Sequence, residues 1–192
     1  MEPIVNVHTH TLRERELSPR CEGVHPWQAE VWHGELLPLA EGCEAVGEIG
    51  LDYACKVDRH RQEELFRVQL RRAEEHRLPV ILHCVRAFEP VMRILGEYPL
   101  VGVVFHGFIG SWQQAERAIK KGYYLSFGER SLASPRTVEA MQKTPPERLF
   151  FETDESLISI EEIYQIASGL LSLQTEELKA ITRDNFKRLF KR

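Results

Sequence analysis

The chain has 192 residues, 43% of them hydrophobic, and a formal net charge of −4 from 25 basic and 29 acidic residues. This length suffices for one domain with a substantial core, and we predict a single domain over residues 1–192. The acidic balance argues against tight, salt-driven binding of nucleic acid through a broad basic surface.

Short apolar runs recur along the chain, and most are followed by a polar segment and then a helix. Continuous apolar runs such as Val80-Ile81-Leu82 are typical of parallel strands that are buried on both faces. Helices are predicted near residues 62–76 and 176–190, after the capping-box residues Ser111 and Ser159, and after the N-cap Ser134. Strands are predicted at residues 4–8, 21–24, 45–48, 79–83, 101–106, 123–126 and 149–152.

This alternation of strands and helices predicts an α/β fold with a parallel sheet, and a closed barrel of the TIM type is the leading interpretation. An open doubly wound sheet is the alternative. Such a sheet usually has a glycine-rich phosphate loop after its first strand, where this chain has His8-Thr9-His10.

Residues of metal-binding type stand at the ends of the predicted strands. His8 and His10 are two residues apart in an extended segment, so their side chains point to the same side. In a parallel barrel the carboxyl ends of the strands share one face, which is where such barrels carry their chemistry. Each residue alone has a structural explanation, as a hydrogen-bonded histidine or a capping carboxylate. Four more such residues end a predicted strand or follow one: Glu48, His83, His106 and Asp154.

A series of motifs runs through the chain in the order VNVHTHT, EGVHPW, AVGEIGLDY, LPVILHC, VVFHGFIGS and LFFETDES. The series resembles the TatD family of metal-dependent hydrolases, which have an amidohydrolase-like barrel and are associated with DNase activity. The most specific parts are GEIGLDY and ETD. The resemblance implies a barrel, a hydrolase and a phosphodiester substrate.

The resemblance also implies two divalent ions, Mg²⁺, Mn²⁺ or Zn²⁺, bound by the six strand-end residues named above. Of these, Glu48 would bridge the two ions, with His83 and His106 on one ion and the remaining three residues on the other. Asp154 would in addition orient the attacking water and accept its proton, so that Asp154 and Glu48 are the predicted catalytic residues.

The chain departs from the family pattern at three places. The family has another strand–helix unit between its HxH and GxHP strands, but only about a dozen residues separate His10 from Cys21. We therefore predict a shortened barrel of about seven regular parallel strands. The common HCF is HGF here, and ETDAP is ETDES, in which Glu155 adds negative charge beside the predicted site.

Four further residues are candidates for substrate contacts. His25 and Arg86 are placed to bind phosphate, and Phe108 to stack on a base, as is Trp27. Each has a structural alternative: a hydrogen-bonded loop histidine, a surface ion pair, or core packing. Asp52 is expected to shape the loop after the GEIGLD strand rather than to take part in chemistry.

The leading functional hypothesis is a 3′–5′ exodeoxyribonuclease-type phosphodiesterase that acts on single-stranded DNA or free DNA ends. Hydrolysis of a small ester, amide or phosphoester at the same metals is a second, which low basicity and Glu155 favour. A metal-binding module without turnover is a third. The sequence has no signal-peptide pattern, no membrane-length apolar run and no Cys-x-x-Cys, so we expect a cytoplasmic protein with reduced cysteines and no membrane partner.

Overall fold

The computed structural model describes residues 2–11 and 13–190, in which short strands alternate with helices. The strands are β1 Ile4–Val5, β2 Glu16–Leu17, β3 Cys21–Glu22, β4 Ala45–Asp52, β5 Val80–Val85, β6 Val103–Phe105, β7 Tyr124–Phe127 and β8 Leu149–Phe151. The helices are α1 Arg59–His76, α2 Phe88–Leu95, α3 Trp112–Lys120, α4 Glu129–Leu132, α5 Pro135–Lys143, α6 Ile160–Leu171 and α7 Thr175–Phe190. Short 3₁₀ turns lie at Pro26–Gln28 and Pro146–Arg148.

The described chain divides into two compact units. The central unit is Arg20–Val104, and the terminal unit comprises the described residues up to Pro19 and from Phe105 onward. Strand β6 begins in the central unit and ends with Phe105. The prediction of a single domain over residues 1–192 stays a prediction.

In the central unit, β4 pairs in parallel with β3 on one side and β5 on the other. The register places Gly50 opposite His83, after an irregularity between Val46 and Ile49. Gly50 has a φ of +147°, and a Cβ there would lie 1.9 Å from the His83 carbonyl oxygen. Only glycine therefore lets β4 pass so close to β5 at this point.

Helix α1 packs against β4 in the same unit. It begins after Asp58, whose side chain accepts a hydrogen bond from the Arg61 N–H at 3.0 Å. Its apolar stripe is buried, as Phe66 and Leu70 illustrate. Beside that stripe two glutamines, Gln62 and Gln69, are also buried.

In the terminal unit, β1 and β2 form a short parallel pair, and the described residues between them, 6–11 and 13–15, contain no helix. The Ile4 N–H donates to Arg15 and the Asn6 N–H to Leu17, at 2.9 and 3.0 Å. This two-residue β2 lies where the sequence predicted that a strand–helix unit is missing. Strands β7 and β8 pair in parallel, and the buried Tyr164 donates its hydroxyl to the Val5 carbonyl oxygen at 3.0 Å.

The seven predicted strands are present, with ends that differ by one to four residues, and the predicted α/β class with parallel strands is confirmed. The capping boxes at Ser111 and Ser159 are both formed. Ser134 precedes Pro135 as predicted, but its side chain makes no capping hydrogen bond. Within the described residues, no helix is both long and apolar enough to span a bilayer.

Candidate metal centre

The terminal unit brings the HxH segment beside Asp154. The Asp154 Oδ1 atom lies 3.5 Å from His8 Nε2 and 3.3 Å from His10 Nε2. Metal–nitrogen and metal–oxygen bonds of about 2.0–2.1 Å place neighbouring ligand atoms roughly 3.3 Å apart around a tetrahedral ion. Each of these two separations therefore fits a pair of ligands to one ion.

The backbone holds this arrangement in place. The Asp154 N–H donates to the His8 carbonyl oxygen at 3.1 Å, and the His10 N–H donates to the Asp154 carbonyl oxygen at 3.3 Å. Asp154 has a φ of +53°, a left-handed conformation that aspartate tolerates better than most residues. The loop after β8 thus continues the parallel pairing with Thr9 for one residue and turns the carboxylate toward the histidines.

Asn6 fastens the same two segments from the buried side. Its side-chain amide donates to Thr153 Oγ1 at 2.9 Å, and its Oδ1 accepts from the Thr153 N–H at 2.9 Å. The amide also donates to Glu16 Oε2 in β2 at 2.9 Å. The short second strand therefore supports the HxH segment through Asn6, a role that the sequence analysis did not predict.

His106 joins His8 and Asp154, and its ring centroid lies 4.3 Å from that of His8. Its Nδ1 is 3.1 Å from Oε1 of Glu152, a carboxylate that is fully buried. This bond places the ring proton on Nδ1 and leaves the Nε2 lone pair for a metal ion. The other oxygen, Glu152 Oε2, has no hydrogen-bond partner among the described residues, so this buried negative charge is not fully compensated and the site suits a cation. We call His8, His10, His106 and Asp154 the terminal donor set.

In the central unit, Glu48 Oε1 lies 2.5 Å from His83 Nδ1. Side chains of both residues are 12% exposed, so the pair is largely shielded from water. At this separation the two atoms share a proton, and an ion that both residues bind must displace it. We call Glu48 and His83 the central donor set.

His25 lies beside this pair, with Nε2 3.4 Å from both Glu48 Oε1 and His83 Nδ1. Its Nδ1 accepts a hydrogen bond from the Trp27 N–H at 3.2 Å and so caps the 3₁₀ turn Pro26–Gln28. A neutral imidazole that accepts at Nδ1 carries its proton on Nε2. In this arrangement His25 is a hydrogen-bond donor rather than a metal ligand, and donation is what the predicted phosphate contact requires.

Asp52 stands behind His83, with Oδ2 3.3 Å from His83 Nε2 and 2.7 Å from Trp27 Nε1. Burial raises the pKa of Asp52, but the hydrogen bonds from Trp27, from the Ala54 N–H and from His83 outweigh burial, so the pKa lies below its ordinary value. The carboxylate is ionised at neutral pH and fixes the orientation of the imidazole. The sequence analysis gave Asp52 only a role in loop shape.

The other predicted substrate contacts differ in their surroundings. Arg86 is exposed directly after β5, with a φ of +51°. Phe108 is 5% exposed and packs edge-on against Phe105 and Phe127, which supports the core-packing alternative rather than base stacking. Trp27, in contrast, is 61% exposed, so core packing is wrong for this residue.

None of the four cysteines forms a disulfide. Burial raises the pKa of Cys84, which follows His83, to about 12. The thiol is therefore protonated at neutral pH and is a poor nucleophile or metal ligand.

The structure groups His106 with His8 and Asp154, whereas His83 lies with Glu48 in the other unit. The prediction that His83 and His106 share an ion, and that Glu48 bridges two ions, involves residues of both units and stays a prediction.

Comparison with known proteins gives a consistent family match. Residues 7–191 match the family of TatD-related DNases. The uncharacterized metal-dependent hydrolase YabD of Bacillus subtilis is 34% identical over 180 residues, which cover 83% of this chain and 69% of YabD. The 3′-5′ ssDNA/RNA exonuclease TatD of a Pantoea species is 38% identical over 148 residues, which are 69% of this chain but 55% of the exonuclease. The chain thus spans little more than half the length of several curated relatives.

A solved structure gives the same result for the fold. The TatD homologue YjjV of Escherichia coli superposes with a TM-score of 0.81 at 27% identity, and the match covers 94% of this chain and 78% of YjjV. A TatD-family hydrolase from Entamoeba histolytica matches with a TM-score of 0.74 at 18% identity, which bears on the fold alone. The predicted fold class and the resemblance noted in the sequence are both confirmed.

Proposed function

The chain belongs to the TatD family, and from this premise we propose that it is a metal-dependent hydrolase that removes nucleotides from the 3′ end of single-stranded DNA. The observation that carries the proposal is the terminal donor set. His8, His106 and Asp154 offer ligand atoms within 4.8 Å of one another, His10 Nε2 lies 3.3 Å from Asp154 Oδ1, and the buried Glu152 beside His106 is incompletely compensated. Such a set has the residue types and spacing for a catalytic divalent ion.

We propose two divalent ions, of which the terminal donor set would hold one and the central donor set the other. When bound, they would supply positive charge that stabilises a phosphoryl group and makes water a stronger nucleophile. Histidine-rich sets favour Zn²⁺ by affinity, while the proposed phosphate chemistry is equally compatible with Mg²⁺ or Mn²⁺.

The side chains would divide the remaining work. Asp154 has a side chain that is 42% exposed, so its carboxylate can orient a water molecule and accept its proton during in-line attack on the phosphodiester. His25 would donate its Nε2 proton to a phosphate oxygen, because its other ring nitrogen is occupied by the Trp27 N–H. Arg86, exposed after β5, would contact a second phosphate.

A second candidate is hydrolysis of a small ester, amide or phosphoester at the same metals. The exposed Glu155 next to Asp154 and the net charge of −4 favour this alternative, because both repel a polyanion.

The test is release of nucleotides from oligonucleotides that are labelled at one end. We expect the 3′ label to leave first, EDTA to reduce the rate on the order of 100-fold or more, and Mn²⁺ or Mg²⁺ to restore it. His83→Gln should lose activity, whereas His60→Gln, at an imidazole that is 81% exposed on α1, is the matched control and should not.

The same preparations are assayed against a panel of small phosphoesters, carboxylic esters and amides. Turnover of the small substrates alone would support the second candidate and contradict the exonuclease proposal. Metal binding without turnover of any substrate would identify a binding module.

A further inference from the structure

We propose that Trp27 is the surface on which a nucleobase of the substrate stacks, and that Asp52 mechanically couples this surface to the metal ligand His83. The first half of the inference deepens the proposed function and rests on it. The second half concerns only how the protein holds a metal ligand.

The indole of Trp27 is exposed yet held at several points. Its Nε1–H donates to Asp52 Oδ2 at 2.7 Å, and its ring meets the His25 ring edge-on with centroids 4.7 Å apart. Its backbone N–H is bound by His25, which caps the turn that carries it. An aromatic side chain that is 61% exposed loses little further freedom when a base stacks on it, because it is already fixed.

Asp52 is itself fixed on every side. Its Oδ1 accepts the N–H groups of Ala54 and Cys55 at 2.8 and 3.2 Å. Its backbone N–H donates to Gln62 Oε1 at 2.8 Å, and its carbonyl oxygen accepts from Gln62 Nε2 at 2.9 Å. The carboxylate therefore cannot follow a displaced partner without breaking several other hydrogen bonds.

The Oδ2 atom of Asp52 is shared between Trp27 and His83. The shorter bond comes from the indole, at 2.7 Å, and the longer from the imidazole, at 3.3 Å. A carboxylate behind a ligand histidine sets the tautomer and the orientation of its ring. Removing the indole N–H leaves His83 as the only side-chain donor to this oxygen among the described residues. A change at Trp27 therefore alters the hydrogen bond that orients His83.

Base stacking is the ligand interaction that fits this surface. His25, two residues before Trp27, presents a donor suited to a phosphate oxygen, so a nucleotide whose phosphate meets His25 would carry its base toward the indole. Stacking depends on the aromatic face and not on base identity, so this surface would accept any base.

The test of Asp52 uses Mn²⁺ binding by isothermal titration calorimetry at a temperature where each variant is folded. Asp52→Asn should raise the Kd for Mn²⁺ roughly 10- to 100-fold. The reason is that the asparagine NH₂ group would face the N–H groups of Trp27 and His83, which are themselves donors. Trp27→Phe, which removes the indole N–H and keeps a smaller aromatic ring, should raise the same Kd by about 2- to 5-fold, less than the loss of the Asp52 carboxylate. Asp58→Asn, at the exposed cap of α1, and Trp32→Phe, whose Nε1–H donates to the Glu35 carbonyl oxygen, are the matched controls.

The test of Trp27 uses fluorescence anisotropy with a labelled phosphorothioate oligonucleotide, which resists cleavage, and an abasic oligonucleotide of equal length. Trp27→Leu should raise the Kd for the base-containing strand roughly 5- to 100-fold and leave that for the abasic strand unchanged. Trp27→Phe keeps the aromatic face and should bind the base-containing strand within about 3-fold of the parent chain.

The outcomes separate the two proposals. Unchanged Mn²⁺ affinity in Asp52→Asn would overturn the coupling to His83, whatever the substrate is. Equal losses for base-containing and abasic strands in Trp27→Leu, or no binding of either strand by the parent chain, would overturn the stacking role. Turnover restricted to small esters, with Mn²⁺ affinity reduced in Asp52→Asn, would contradict the proposed exonuclease while supporting the coupling.

Discussion

Each of the two units orients a candidate metal-binding histidine through a carboxylate, but the two carboxylates differ in their contact with exposed side chains. In the terminal unit, His106 is held by Glu152, whose side chain is 0% exposed. In the central unit, His83 is held by Asp52, whose Oδ2 also binds the exposed Trp27. The first arrangement is closed, because the buried Glu152 contacts the candidate ligand His106 and, among the described residues, hydrogen-bonds to no exposed side chain. The second arrangement is open, because it connects the candidate ligand His83 to an exposed side chain.

Substitution of Asp154 should have the largest effect on turnover and should distinguish the two units most clearly, because the central donor set has no equally exposed carboxylate. We expect Asp154→Asn to lower turnover about 10²- to 10⁴-fold, since it removes both the proton acceptor and a charged ligand. The backbone bonds that position residue 154 remain, so the melting temperature of the metal-free protein should stay within about 2 °C. Turnover near the parent rate in pure, folded protein would refute the catalytic role.

Glu152→Gln tests whether the buried Glu152 is as important for metal binding by His106 as Asp52 is for metal binding by His83. We expect Mn²⁺ affinity to fall roughly 10- to 100-fold, which reduces the stabilisation by saturating metal by about 1.4 to 2.7 kcal/mol. The metal-free protein should not lose stability, because the substitution removes a buried charge with an uncompensated oxygen.

The measurement is thermal unfolding of Glu152→Gln with and without Mn²⁺, beside the parent chain. A large loss of stability without metal, with the metal-induced increase intact, would mean that Glu152 serves the core and not His106.

Arg86→Ala should have a smaller effect, confined to oligonucleotide binding by the central unit. Loss of one phosphate contact should raise the Kd for an oligonucleotide several-fold and reduce the slope of log Kd against log salt by about 0.7. Arg71→Ala, at another exposed arginine of the central unit, is the matched control. Equal slopes of log Kd against log salt in the parent chain and both variants would show that Arg86 makes no specific phosphate contact.

Phe108→Leu should have the smallest effect on binding. The ring is buried among aromatic side chains, so the substitution should lower the free energy of unfolding on the order of 1 kcal/mol and leave the Kd for oligonucleotide unchanged. Denaturant unfolding and anisotropy measure the two quantities. Weaker oligonucleotide binding at unchanged stability would restore the predicted stacking role.

Sequence reasoning found the strand-end residues because position at the end of an apolar run is a local property. It missed the residues behind them, whose roles depend on contacts between distant segments. Asp52 had a detectable signal: Glu48, Gly50 and Asp52 alternate along one strand, but the strand was predicted to end at Glu48.

The region after β1 illustrates the opposite case. The missing strand–helix unit followed from counting residues against the family pattern. Its replacement by β2 did not, because a two-residue strand has no periodicity to detect. The roles of Asn6 and Glu16 were hidden for the same reason, since their hydrogen bonds exist only once that strand is formed.

Helix α1 sets a constraint on how this chain can evolve. Gln69 binds both backbone groups of Val24, at 2.6 and 2.9 Å, just before His25, and Gln62 binds those of Asp52. The two amides are seven residues apart, close to two helical turns, and so project from the same side about 10 Å from each other. An insertion or deletion of one residue between them would rotate one amide away by roughly 100° and release either the segment that carries His25 or the support of His83. Length variation in this protein is therefore expected in its loops, while the interval between these glutamines stays fixed.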